Sequence, residues 1–133
     1  MSSTESLAFP RPRGSVALRP ETSTASCTRF VIVDAGQEAG WIELTGSGPV
    51  RRLTGEVFPR FVGRGVATAA VHVACRISHS AMAVAGLEAL VAGRSAQAHR
   101  VLEANGFICA DLRREPLLFE LDLARWAESP GPA

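Results

Sequence analysis

The chain contains no lysine: all 14 of its basic residues are arginine. A lysine Schiff base and a lysine general base are therefore excluded. It contains no tyrosine either, so no phenol can serve as an acid. Cysteine is sparse and odd in number, with Cys27, Cys75 and Cys109 in no C-x-x-C spacing. That pattern predicts free thiols in a reducing cytoplasm, with no zinc site and no disulfide framework. Charge of one sign is lacking too. A net charge of +1 gives no long-range field for nucleic acid or an anionic membrane. No apolar run reaches membrane-spanning length, and the first residues carry no hydrophobic segment of a secretory signal. Neither G-x-G-x-x-G nor G-K-[ST] occurs, which disfavours dinucleotides and P-loop chemistry.

What remains is a chain of 133 residues, 47% hydrophobic and 20% charged, sufficient for one domain with a real core. Residues 1–14 read as a flexible tail, 15–126 as a single domain and 127–133 as a second tail. Val16 to Pro20 predicts a short strand closed by the proline, and Glu21 to Cys27 a polar loop. Arg29 to Val33 is β-branched and apolar, a strand, with Gly40 to Leu44 as its hairpin partner. Val50 to Phe58 completes the meander, ended by Pro59.

The period then changes. Apolar residues at 66, 69, 70, 73, 74, 77 and 81 predict a helix, with His72, Arg76 and His79 on a solvated face. Leu87 to Val91 follows as a strand. Ser95 reads as the N-cap of a helix from Ala96 to Asn105, which Gly106 stops. Phe107–Leu112 and Leu117–Leu123 read as closing strands. The order implies an α+β fold on one mostly antiparallel sheet, with one parallel pairing across the central strand–helix–strand unit.

The chemistry is carried by Val62-Gly63-Arg64-Gly65-Val66-Ala67-Thr68. Glycine lets backbone N–H groups approach a ligand, and a helix N-terminus behind them adds unpaired donors and a positive dipole end. That combination is a phosphate cradle. An ordinary strand-to-helix turn would use the same glycines for geometry alone. The small residues Ala67, Thr68, Ala69 and Ala70 would let a large ligand lie against the first helical turn.

The longer segment from Val57 to Ala70 resembles the acyl-CoA-binding segment of the GNAT N-acetyltransferase superfamily, in the style of its ribosomal-protein N-terminal acetyltransferase branch. Ser95 to Phe107, with Arg100-Val101-Leu102-Glu103 and Gly106-Phe107, is similar to the helix-plus-strand block of that branch. The resemblance implies the GNAT fold, a mixed sheet with splayed central strands and flanking helices. It implies acetyl-CoA as cofactor, with its pyrophosphate on the amides from Gly63 to Thr68 and its pantetheine arm in the splay. Val57 would polarise the thioester carbonyl through its amide, an oxyanion-type donor. Phe58, Val62 and Val66 belong to the same binding segment. The polar first position of the family's x-x-Gly-x-Gly pattern falls on Val62, with Arg60 opening an alternative register. Arg64 is then the expected cationic contact to phosphate.

The chain departs from the family in three ways. The carboxylate expected before the cradle falls near Arg51 or Arg52, which leaves Glu56 as candidate base, acting through water, or else as a strand carboxylate paired with an arginine. The family's Asn before the second helix falls on Ser95, either touching the pantetheine amide and protonating the thiolate or merely capping. The family's phenolic acid falls on Leu102, which leaves water, Ser95, Cys109 or His99 to protonate the thiolate. The two acceptor-site helices before the second strand are largely missing. The implied function is acetyl-CoA-dependent transfer to an amine, a peptide or protein N-terminus or a small molecule, with a homodimer as one way to complete the groove. The alternative is a degenerate GNAT domain that binds CoA or a protein without turnover. No metal is expected.

Overall fold

The structure, a computed structural model, describes residues 15–128. The expected tail at 1–14, and residues 129–133 of the one expected at 127–133, lie outside the described residues. Seven strands form one sheet in the order β1-β2-β3-β4-β5-β7-β6. They are β1 Val16–Ser23, β2 Cys27–Asp34, β3 Gln37–Thr45, β4 Val50–Val57, β5 Gly86–Val91, β6 Ile108–Asp111 and β7 Leu117–Asp122. Helices α1 (Val66–Ser80), α2 (Ala96–Ala104) and α3 (Leu123–Glu128) complete the fold. Every strand pairing is antiparallel except β4 with β5, the one that a strand–helix–strand unit must make parallel.

Four expectations need correcting. The first strand does not close at Pro20: β1 runs on to Ser23, with a register shift between Pro20 and Thr22. Proline survives there because β1 is an edge strand, where its missing N–H breaks no ladder on the open side. The loop expected from Glu21 to Cys27 therefore shrinks to a tight turn, in which Thr24 Oγ1 accepts from the Cys27 N–H at 3.1 Å. His72 does not lie on a solvated face. Its ring packs 5.5 Å from that of Trp126, which α3 brings against α1. The tail expected from 127 starts inside α3, whose first turn is held by Asp122 Oδ1 accepting from Ala124 and Arg125 N–H.

The core lies between one face of the sheet and the helices. Strand alternation sends Phe30, Ile32, Ile42, Leu44, Leu53, Leu87, Phe119 and Leu121 to that face. Helix α1 covers them with Val66, Ala70, Val71, Ala74, Cys75 and Ser78. The buried arc is turned toward 71, 75 and 78 relative to the expected stripe, because α2 and α3 also pack on α1.

Cys75 is fully buried, and burial pushes its thiol up from 9.0 to about 12. The unfolded thiol ionises above its ordinary value while the folded one keeps its proton. Stability is therefore untouched at low pH and falls as pH rises from 9 toward 12, by about 1.4 kcal/mol per unit. Urea midpoints at pH 8 and about pH 10.5 should differ by roughly 2 kcal/mol of unfolding free energy. Cys75→Ala should flatten that slope, and an equally steep slope in the variant would contradict it.

Candidate functional site

The parallel pairing of β4 with β5 stops after Arg52↔Glu88. Beyond it, Leu53 to Val57 and Ala89 to Val91 have no partner across the gap. The antiparallel ladder fixes which groups face that gap. Phe58 N–H donates to Ala39 O at 2.7 Å, so positions 58, 56 and 54 bond toward β3. Alternation then turns the N–H and C=O of Gly55 and Val57 away from β3, toward the gap. The splay opens a cleft of about 560 Å³, walled by Val57, Val62, Val91 and Leu102 and bordered by Ala67, Ala70 and Ser95. The alanines of α1 leave room where larger side chains would fill the space. Glu56 is the only ionisable side chain lining this cleft among the described residues.

At the end of β4, Pro59 opens a single 3-10 turn to Phe61, whose buried ring anchors the loop that follows. Gly63 and Gly65 both take positive φ, 84° and 78°, the left-handed region that glycine enters without strain. A Cβ at either would meet nothing within 4 Å, so both face open space and not protein. Gly65 is the N-cap of α1. No side chain caps that end, and the first turn holds no acidic residue. The first-turn amides of α1 therefore look out with the positive end of the helix dipole. They border a second cavity of about 240 Å³, which shares Val57, Val62, Ala67, Gln97 and Val101 with the first. The pair offers an apolar, main-chain-lined slot leading to an anion-receptive turn, which suits an acyl thioester on a pantetheine arm that ends in pyrophosphate.

Most residues singled out in the sequence meet here. Glu56, Val57, Val62, Ala67 and Ser95 line the cleft, and Gly63, Gly65, Val66 and Thr68 line the cradle. Phe58 and Arg64 line neither cavity. The Arg64 guanidinium lies 5.9 Å from the Phe61 ring centroid, and Phe58 is partly exposed. Ser95 starts α2, but its side chain makes no cap hydrogen bond; its carbonyl accepts from His99 N–H instead. Glu56 has no arginine partner among the described residues: Arg29 is taken by Glu21 and Glu43, and Arg52 by Glu88. Leu102, where the family's phenol falls, is a buried core residue.

Sequence reasoning missed Gln97 and Arg100, which α2 brings to the cradle. The only available signal was spacing: positions 97, 100 and 101 share one helical face. It also passed over Asn105, whose fully buried carboxamide donates to Thr68 O at 3.2 Å and Val101 O at 3.0 Å.

No described helix covers the opposite face of the sheet at β1–β4. Cross-strand polar pairs keep it compatible with water. Arg29 bridges Glu21 at 2.9 Å and Glu43 at 2.7 Å, and its guanidinium lies 4.3 Å over the Trp41 ring. Both carboxylates hold the Arg29 pKa above its ordinary value. Glu56 stands directly across from Trp41 and also lines the cleft.

The sheet with its splayed parallel pair is the GNAT acyl-CoA N-acyltransferase fold. Among solved structures, a chimera of Vibrio cholerae spermidine N-acetyltransferase SpeG and hSSAT is similar at a TM-score of 0.75, with 14% identity over 86% of this chain and 99% of that one. The V. cholerae enzyme in complex with CoA and spermine is similar at 0.69, with 17% identity over 77% and 69%. Mycobacterium smegmatis RimJ in complex with CoA-disulfide is similar at 0.66, with 19% identity over 78% and 60%. No family model matches the sequence, and no curated protein matches it. No described helix is long and apolar enough to cross a membrane.

Proposed function

We propose that this chain is an acetyl-CoA-dependent N-acetyltransferase that transfers directly to an amine. The observation that carries this reading is the unpaired main chain of the β4–β5 gap beside the Gly63–Thr68 cradle, whose cavities share wall residues. Several solved neighbours are N-acetyltransferases, and two hold CoA or its disulfide, which supports the same ligand. Acetyl-CoA supplies the acyl group as a thioester.

The amides from Gly63 to Thr68 hold the pyrophosphate, and the gap edges of β4 and β5 hold the pantetheine arm. The Val57 N–H meets the charge that develops on the carbonyl oxygen. The acceptor amine comes from the open sheet face beside Trp41. As its nitrogen bonds to the acyl carbon and the C–S bond breaks, Glu56 accepts the proton the nitrogen loses, directly or through one water. Water protonates the departing thiolate, since Leu102 offers no acid. A face that no described helix covers favours an extended acceptor, such as a peptide or protein N-terminus, over a small amine that needs a closed pocket.

A second reading is a CoA-binding module without turnover. The buried Leu102 and the missing cover over the acceptor face favour it. Thiol release from acetyl-CoA across a panel of peptides and small amines separates the two. Release above the spontaneous rate with any acceptor supports the enzyme. CoA binding without release supports the module. Either reading requires stabilisation by CoA, by roughly 10 °C at a hundredfold excess over Kd. The size of the particle in solution, measured with activity, decides whether a second subunit completes the groove: a fully active monomer rules that out.

A further inference from the structure

We propose that Arg100 is the cation that meets the cofactor's phosphates, and that Asn105 is the positioning residue that holds it against the cradle. This deepens the acyl-CoA reading and rests on it. Three arginines come near the glycine turn, and they are placed differently: Arg60 lies over Phe61 and donates to Gln37 Oε1 at 2.9 Å. Arg64 sits in the turn itself but lies over Phe61 and lines neither cavity. Arg100 lines the cradle from the facing helix and is exposed. No carboxylate among the described residues pairs with Arg100. A guanidinium with its donors uncommitted, facing unpaired helix N–H groups across a concave surface, completes an anion site with charge that the amides alone do not supply.

Helix α2 reaches the cradle only if it stays close to the first turn of α1. Asn105 makes that connection. Its Nδ2 donates to Thr68 O, in the cradle turn, and to Val101 O, on the α2 face that carries Gln97 and Arg100. Its Oδ1 is buried with no hydrogen-bond partner among the described residues. A buried acceptor left unmade is a cost that an apolar residue of the same size avoids. The two donated bonds tie the end of α2 to the first turn of α1, and that tie sets where Arg100 stands.

The test measures CoA and phosphate-free pantetheine binding to the full chain by calorimetry, with unfolding midpoints for each variant. Arg100→Ala should weaken CoA at least tenfold, the range of a charge-assisted hydrogen bond, and leave pantetheine unchanged. Arg64→Ala should change either ligand less than threefold. Asn105→Leu should keep its midpoint within a few degrees and still lose CoA affinity several-fold. The double variant Arg100→Ala/Asn105→Leu should bind no worse than Arg100→Ala, since both act through one contact. Losses that add, or a loss at Arg64 with none at Arg100, would overturn the proposal. Because Arg100 is exposed, its variant decides the cation's role even if Asn105→Leu fails to fold. A wild-type chain that does not bind CoA overturns the acyl-CoA reading and this inference together. CoA binding that Arg100→Ala leaves intact overturns this inference alone.

Discussion

Gly65→Glu should abolish CoA binding while the chain still folds. Gly65 is the N-cap of α1 at φ 78°, and a Cβ there would project into open space. A glutamate meets no steric block within the protein, and its cost is the left-handed backbone, roughly 1–2 kcal/mol. Its carboxylate lands where the pyrophosphate must sit. A unit charge about 4 Å from a phosphate costs about 4 kcal/mol at the effective dielectric of a protein surface, roughly a thousandfold in Kd. Gly65→Ala carries the same backbone strain without the charge, so it isolates the electrostatic part. The alanine variant should keep most of the CoA-induced rise in unfolding temperature, and the glutamate variant should show none. If both variants bind CoA alike, phosphate does not occupy this turn.

The physics that makes this experiment sharp also made the cradle legible in the sequence. Glycine at 63 and 65, proline at 59 and a helical period from 66 are local signals. Each acts through its own backbone, with no distant partner required. The meander was legible for the same reason, since two-residue alternation and the turns at Gly36 and Gly46-Ser47-Gly48-Pro49 are written in contiguous residues. The features that were not legible depend on what a segment packs against. Pro20 stops a central strand but not an edge strand, and position in the sheet is a tertiary fact. His72 is placed against Trp126 by α3, a short helix whose only local signal is the Asp122 cap. Arg64 reads as a phosphate contact from the sequence because it sits between the two glycines. Arg100 lies 36 positions later and comes to the cradle only once α2 is laid beside α1. Ser95 was placed correctly at the start of α2, yet the hydrogen bond that made it attractive as a cap is not formed. Composition could name the cap, but the backbone angles at 95 decide whether its hydroxyl can reach.

Glu56→Gln should leave CoA affinity within about twofold and lower kcat by 10²–10⁴-fold, the usual contribution of a positioned general base. Elimination within the cleft leaves Glu56 as the base. A base must accept a proton from an amine arriving on the uncovered face, beside the acyl carbon. Glu43 and Glu88 lie on that face, but both are committed to arginines at 2.7 and 2.6 Å. Glu56 lines the cleft, has no arginine partner, and neighbours Val57, whose amide faces the gap. Glutamine keeps the shape and the hydrogen-bond acceptor and removes only the ability to take the proton. Raising the pH, which deprotonates the acceptor amine beforehand, should therefore restore part of the lost rate in the variant. That rescue distinguishes proton removal from acceptor binding, because a carboxylate that merely attracted a cationic amine would raise KM on removal and gain nothing from alkali. An unchanged kcat in Glu56→Gln, with acetyl transfer intact, would assign proton removal to solvent and leave Glu56 as a carboxylate at the cleft mouth.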